Sequence, residues 1–350
     1  MANVLKLETT ESERSIADDI DRFFVRDFET NPLGDLDATM TSIIGAGLDR
    51  LPLPGDGATL ERWRALSRVG AHNLSLVKLY EGHTDALAIM SELRGPRVPA
   101  RSVWGTWAVE PPTARLRLRG DGSGRVRVHG RKAWCSGASM VSHGLVTAWN
   151  EADEQCLVAV DLAQPTITID SQPWKAVGMA GSGSVDVIFE DSEAYLVGAP
   201  GDYTRRPGFW QGGIGVAACW YGAAAALAEA LRASLGRKTD PHSAAHLGAV
   251  DVALGAAAAV LREAARQIDQ RPDDCAQALA LRARGTVADS ASQVLTHVTR
   301  ALGAGPLCRD AHIAHLVADL PVFMRQSHAE RDLEQLGLAV ATSPERDWKL

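Results

Sequence analysis

The chain has 350 residues, a formal net charge of −7 and 46% hydrophobic residues, ample for a soluble protein with more than one packed unit. The acidic balance argues against nucleic acid as the main partner, because phosphate binding needs a basic face. Five scattered cysteines (Cys135, Cys156, Cys219, Cys275, Cys308), odd in number and without paired spacing, argue against a disulfide framework or zinc site and for a reducing, cytoplasmic setting.

The opening segment, MANVLKLETTESERS, has no apolar core and does not read as a secretory signal. To about Leu93 the chain reads helical: Ile16, Ile20, Phe23 and Phe24 recur at helical spacing, as do Leu74, Val77, Leu87 and Met90. LPLPGDGA (Leu51 to Ala58) interrupts this with Pro and Gly. From about Arg101 to Val197 the texture changes to strands. RLRLR (Arg115 to Arg119) and RVRV (Arg125 to Val128) alternate with period two around GDGSG, and LVTAW, CLVAV, TITI and VDVIFED follow. Short strands with no long helix between them predict an antiparallel sheet or barrel.

From Pro207 the chain is helical and alanine-rich, with long runs of strong helix formers whose small residues suit close packing in a bundle. The uncharged span Pro207 to Ala228 is long enough to cross a bilayer, but it is made of Gly and Ala with Gln211 inside it, so a buried bundle helix is expected and no membrane. The expected organisation is α+β and multidomain: an N-terminal α-helical domain (1–98), a middle antiparallel β-barrel domain (99–200) and a C-terminal four-helix bundle (201–350).

Three patterns suggest sites and are weighed down by context. IIGAGLD (Ile43 to Asp49) looks like a dinucleotide fingerprint but lacks the third glycine, Arg50 standing nearby, and no strand precedes it. His312 and His315, a helical turn apart, lack an evident third metal ligand. The stripe Arg115, Arg117, Arg119, Arg125 and Arg127 reads as the solvated face of a sheet more than as an anion site.

GLDRLPLPGDG, WAVEPP (Trp107 to Pro112), GRKAWCSGA, VGMAGSGSVDVIFEDSE (Val177 to Glu193), RKT (Arg237 to Thr239) and LGAGPLCRD occur in the order and spacing of the acyl-CoA dehydrogenases and their flavin-dependent relatives. The resemblance spans nearly the whole chain, each motif being weak alone. It implies FAD, with FMN the lesser alternative, bound at the interface of a homodimer or homotetramer. It also implies a small-molecule or acyl-thioester substrate and an electron-transfer or reductase partner.

By that resemblance Trp134, Cys135 and Ser136 end a strand against the isoalloxazine. The indole offers an apolar face, and the Ser136 hydroxyl a hydrogen bond to the N5 edge. Filling of the β core by Trp134 is the plainer alternative. Arg237 resembles the arginine that reaches the FAD pyrophosphate across a subunit boundary, as a planar guanidinium suits, and the alternative is a surface arginine at a helix end. Gly303 and Gly305 resemble a turn that lets backbone approach the partner's cofactor, or they simply end a helix.

The chain departs from the family twice. The glutamate that takes the α-proton is replaced by Ser327, with His328 beside it. The Gly-Ser-Asp after the Glu-Pro step is missing, and Val109 stands where a threonine is expected. Three readings follow: an FAD-dependent oxidoreductase of the dehydrogenase type with an unusual base; a flavin-dependent monooxygenase on the same fold, using His83 and His328, whose imidazoles titrate near neutrality; or a non-catalytic binding subunit. Ser327, His328 and His83 are the candidate proton-handling residues, though both histidines also suit ordinary polar positions on helices.

Overall fold

The computed structural model describes residues 15–28, 34–109, 111, 114–120, 124–170, 174–237, 240–343 and 348, with the side chain of Arg237 outside that set. Four helices come first: α1 (Ile16–Phe28), α2 (Leu36–Gly45), α3 (Thr59–His72) and α4 (Leu74–Glu92). Asn73 separates the last two, its extended backbone ending α3 while its side chain accepts from the Leu76 N–H to start α4. Ile20, Phe24, Trp63, Leu66, Val69, Val77 and Tyr80 bury one face of this group, the expected outcome of apolar residues at helical spacing.

The middle of the chain forms β1 (Trp104–Trp107), β2 (Arg117–Gly120), β3 (Arg125–Cys135), β4 (His143–Trp149), β5 (Gln155–Asp161), β6 (Ile167–Asp170) and β7 (Val185–Leu196). Strands β4, β2, β3, β7 and β5 pair in that order and β5 returns to β4, closing a five-stranded barrel. The barrel is antiparallel except at one bridge, where β2 runs parallel to β4 through Arg117 and Trp149. β1 pairs in parallel with the first half of β4, and β6 adds to β7. Closure buries Leu116, Leu118, Val126, Val128, Val146, Val158, Val187 and Phe189 inside. It also encloses Lys132, whose ammonium donates to the Thr147 carbonyl at 3.2 Å and hydroxyl at 2.6 Å. Arg115, Arg117, Arg119, Arg125 and Arg127 all lie on the solvated outside, where Asp153 and Glu193 neutralise part of the stripe.

The C-terminal part comprises α5 (Asp202–Arg205), α6 (Pro207–Arg237), α7 (Pro241–Gln270), α8 (Gln277–Leu302), α9 (Ala304–Arg309), α10 (Ala311–Phe323) and α11 (Glu330–Thr342). The apolar span beginning at Pro207 is indeed a buried bundle helix: 72% of the most apolar stretch of α6 is enclosed. α7 is as long and apolar, but only 28% of its corresponding stretch is covered. Both pass the length and composition test for crossing a membrane; α7 packs beside α6 and α8 in the bundle. Ala245, Gly248, Val252, Gly255 and Ala259 point outward along it at alternating three- and four-residue steps, Val252 being 74% exposed.

One hydrophobic core runs from the N-terminal helices through the barrel into the bundle. α3 lies against α6 closely enough that a Cβ added at Gly222 would sit 1.9 Å from the Ser67 carbonyl oxygen, and one at Gly70 would sit 2.6 Å from that of Cys219. Neither neighbour is a flexible side-chain end, so the backbones would have to separate. Gly222→Ala is therefore expected to cost about 1–3 kcal/mol in urea unfolding. Gly236→Ala on the same helix, where a Cβ meets nothing within 4 Å, is expected to be neutral or to stabilise by up to ~1 kcal/mol.

Candidate functional site

The segment from Gly130 to Ser139 ends β3 with a register shift against β7 between Lys132 and Cys135. Bulges of this kind leave one residue unpaired and re-aim its side chain. Here that residue is Trp134, which takes a left-handed backbone (φ 57°) and leaves its indole 57% exposed. Asp186 on β7 holds the bulge from both sides: Oδ1 accepts from the Trp134 N–H at 3.2 Å, and Oδ2 from Arg131 Nε at 2.5 Å. A left-handed tryptophan costs about 1–2 kcal/mol, and an exposed indole forgoes burial as well.

Cys135, next in line, points the other way. It is fully buried in the barrel, burial pushes its thiol far up from the ordinary value, and its side chain cannot meet a ligand. Ser136 returns to the outer side, half-buried. Gly137 then turns the chain with φ +71°, at a place where a Cβ would fall 2.4 Å from Leu79 Cδ2 on α4. The wall therefore abuts α4 directly, and a narrow crevice lies between them. Ser136, Trp107, Thr106 and Trp104 line it from the barrel, Lys78 and Gly82 from α4. It has room for about one water molecule. A three-ring group cannot enter it as it stands; the open surface of this strand end is the exposed indole of Trp134, two residues before Ser136.

Behind Ser136 stands a row of hydroxyls. Ser136 Oγ is 2.8 Å from Ser184 Oγ, which is 2.9 Å from Ser182 Oγ, which donates to the Met179 carbonyl at 2.7 Å. The Ser136 carbonyl accepts from Trp107 Nε1 at 3.0 Å, fixing the strand end. On the facing helix Lys78 Nζ pairs with Glu81 Oε2 at 2.9 Å. Burial raises the Glu81 carboxyl, and the Lys78 ammonium opposes that shift.

Of the three candidate proton-handling residues, His83 has partners of its own, apart from those of Ser327 and His328. His83 is 1% exposed. Its Nδ1 accepts from the Trp104 N–H at 3.2 Å, so the proton of the neutral ring sits on Nε2, facing Asp49 Oδ2 at 3.2 Å. Both nitrogens are used, and the residue ties α4 to β1 and to the turn after α2. The dinucleotide-like IIGAGLD segment supplies that turn, its Leu48 carbonyl accepting from Tyr80 and its Asp49 facing His83.

Ser327 and His328 are brought together before α11. Asp332 accepts from the Ser327 hydroxyl at 3.2 Å and the His328 N–H at 3.1 Å, and its other oxygen lies 3.5 Å from His328 Nδ1. The His328 side chain is 66% exposed. Arg284 secures the preceding carbonyl, Gln326, and that of Gly213. Neither His83 nor His328 borders the crevice.

Gly303 (φ 66°) caps α8 and Gly305 lies within α9; a Cβ on either would meet nothing. Arg237 is the last residue of α6, and its side chain is outside the described residues. The same holds for Glu110, Pro112 and Thr113 of the shortened loop and for Lys238 and Thr239. His312 contacts the Ala71 carbonyl through Nε2 at 2.9 Å. Among the described residues, no group of three or more His, Cys, Asp or Glu is placed to hold a metal.

No family model matches the chain, and no curated protein matches it. Solved structures do. KijD3, in complex with FMN and dTDP-3-amino-2,3,6-trideoxy-4-keto-3-methyl-D-glucose, is 22% identical with a TM-score of 0.78, covering 97% of this chain and 96% of its own. FMN-bound TdsC from Paenibacillus sp. A11-2 is 17% identical with a TM-score of 0.78, covering 92% and 95%. The methanesulfinate monooxygenase MsuC from Pseudomonas fluorescens is 18% identical with a TM-score of 0.77, covering 96% and 99%. At these identities the likeness establishes the fold, and the helical, barrel and bundle order expected from sequence is the order found.

The comparison corrects the cofactor. FAD was expected, whereas the similar structures of KijD3 and TdsC are complexes with FMN. The motif around Trp134 and Ser136 concerns the isoalloxazine, which both flavins share, so it does not discriminate between them; only the Arg237 motif pointed to a pyrophosphate. FMN has no pyrophosphate, so the role expected for Arg237 was one specific to FAD.

The wall itself makes a prediction independent of any ligand. Trp134→Gly relieves the left-handed strain and removes an exposed indole, and is expected to raise stability by about 1 kcal/mol in denaturant unfolding. An unchanged or lowered stability would mean that Trp134 serves the fold.

Proposed function

We propose that the chain is an FMN-dependent oxidoreductase of the monooxygenase kind, acting on a small molecule. The observation that carries this reading is Trp134: an indole 57% exposed on a left-handed backbone is costly twice over, and a flat aromatic ligand laid on it accounts for both costs. Ser136 is half-buried beside it and suits the polar N5 edge of such a ring. When bound, FMN supplies two-electron redox chemistry and reactivity toward oxygen. In this reading Trp134 covers one face of the ring and keeps water from it, and Ser136 meets its N5 edge. His328, oriented by Asp332, exchanges protons with the substrate or solvent.

The dehydrogenase reading is less well supported. It needs a carboxylate at the place of Ser327, and Glu81, next in the chain to the crevice-lining Gly82, is buried and paired with Lys78. FMN on an open face exchanges readily, which suits a separate reductase as partner. A second copy of the chain is proposed to cover α7. Its small outward residues run Ala, Gly, Val, Gly, Ala, a near-palindrome about Val252 that suits an antiparallel pair around a two-fold axis. The five cysteines are all free, in keeping with a reducing cytoplasm.

FMN added to the purified protein is expected to give a perturbed flavin absorbance band that saturates, and Trp134→Ala is expected to weaken binding roughly tenfold or more. A protein that leaves the spectrum of FMN unchanged contradicts the reading. His328→Ala is expected to lower turnover on the order of 100-fold while FMN binding stays as in the parent; unaltered turnover removes His328 from the mechanism.

A further inference from the structure

The hydroxyl row behind Ser136 has a forced direction. Met179 presents a carbonyl oxygen, which only accepts, and Ser182 Oγ lies 2.7 Å from it. The single hydroxyl proton of Ser182 is spent there. The 2.9 Å contact between Ser182 and Ser184 then needs the proton of Ser184. The 2.8 Å contact between Ser184 and Ser136 needs the proton of Ser136. Any other arrangement leaves two oxygens at one of these distances with no proton between them, which is repulsive.

The far end of the row is anchored. The Met179 peptide is held in a left-handed conformation (φ 60°), and its N–H donates to Asp319 Oδ1 on α10 at 2.5 Å. The Ser182 N–H adds a second bond to the Met179 carbonyl at 3.1 Å. Ser182 and Ser184 are 1% and 8% exposed, so water does not offer them other partners. Ser136, itself half-buried, therefore has no proton left for a ligand on its open side and presents only lone pairs.

We propose that Ser184 and Ser182 are positioning residues that hold Ser136 as a hydrogen-bond acceptor, so that the wall favours the reduced flavin over the oxidised one. The N5 of a reduced flavin carries a hydrogen and can donate to Ser136. The N5 of an oxidised flavin is itself an acceptor and meets an oxygen with no proton to share. The inference rests on the reading that FMN lies against Trp134 and Ser136, and adds to it a preference of redox state set by side chains that do not touch the flavin.

The test compares dissociation constants of the intact protein for oxidised FMN and, anaerobically, for dithionite-reduced FMN. The parent protein is expected to bind reduced FMN more tightly. Ser184→Ala releases the Ser136 proton to turn outward, and is expected to shrink the ratio of the two constants on the order of tenfold, largely by tightening the oxidised form. Ser184→Thr keeps the hydroxyl and is expected to keep the ratio. Should Ser184→Ala fail to fold, Ser182→Ala breaks the row one step further back, leaving Ser184 free to donate to Ser136, and predicts the same shift. Equal weakening of both forms, or an unchanged ratio, overturns the row as a determinant of redox preference while leaving the flavin site standing. Failure of the parent protein to bind FMN in either form overturns the flavin reading and this inference with it.

Discussion

The register shift between Lys132 and Cys135 is the constraint on which the site depends. Without it β3 would run in phase with β7, Trp134 would alternate as an ordinary strand residue, and Ser136 would not stand beside α4. Asp186 pins the shift by accepting from both Trp134 N–H and Arg131, so one carboxylate sets the pose of the wall. Gly137 then makes the turn against Leu79 possible. Removing side-chain bulk there is what lets barrel and helix meet closely enough to leave only a narrow crevice.

The two helical parts of the chain serve that wall together. α3 and α6 touch backbone to backbone through Gly70 and Gly222, and α4 presses on β1 through His83 and Thr106. α10 reaches back to the barrel through Asp319, a carboxyl raised by burial that nonetheless receives the Met179 N–H. The parts that look separate in sequence are thus one packed body around the strand end, and strain at Trp134 and Met179 is held by neighbours from three distant stretches of chain.

Much of the architecture was legible because it rests on local periodicity. Alternation in RVRV marks β3, the short apolar run CLVAV marks β5, and the apolar, uncharged run after Pro207 marks the buried helix α6. The identity of Trp134 and Ser136 as wall residues was legible only through the resemblance, since no spacing rule says which way a bulged residue faces. Cys135 illustrates the limit. Adjacent to both in sequence, it faces the barrel core, and only the register with β7 decides that.

The serine row was not legible at all: Ser136 and Ser184 are 48 positions apart, and serine is too common to announce a contact. Lys78 and Glu81 left a faint signal, opposite charges three residues apart on one helix, but that pattern is ordinary on solvated helices and became notable only when Glu81 proved buried and Lys78 partly so. His83 carried the opposite lesson. A histidine in a polar-looking segment proved to be fully enclosed, with both ring nitrogens in use.

The central claim is that FMN lies on Trp134 with its N5 edge at Ser136. A crystal structure of the protein grown with FMN tests it most directly. The account predicts the isoalloxazine in van der Waals contact with the indole, at about 3.5–4 Å, and N5 within hydrogen-bonding distance of Ser136 Oγ, at about 3 Å. Clear FMN density elsewhere, or a second copy of the chain seated on Trp134 with no flavin between them, would contradict it.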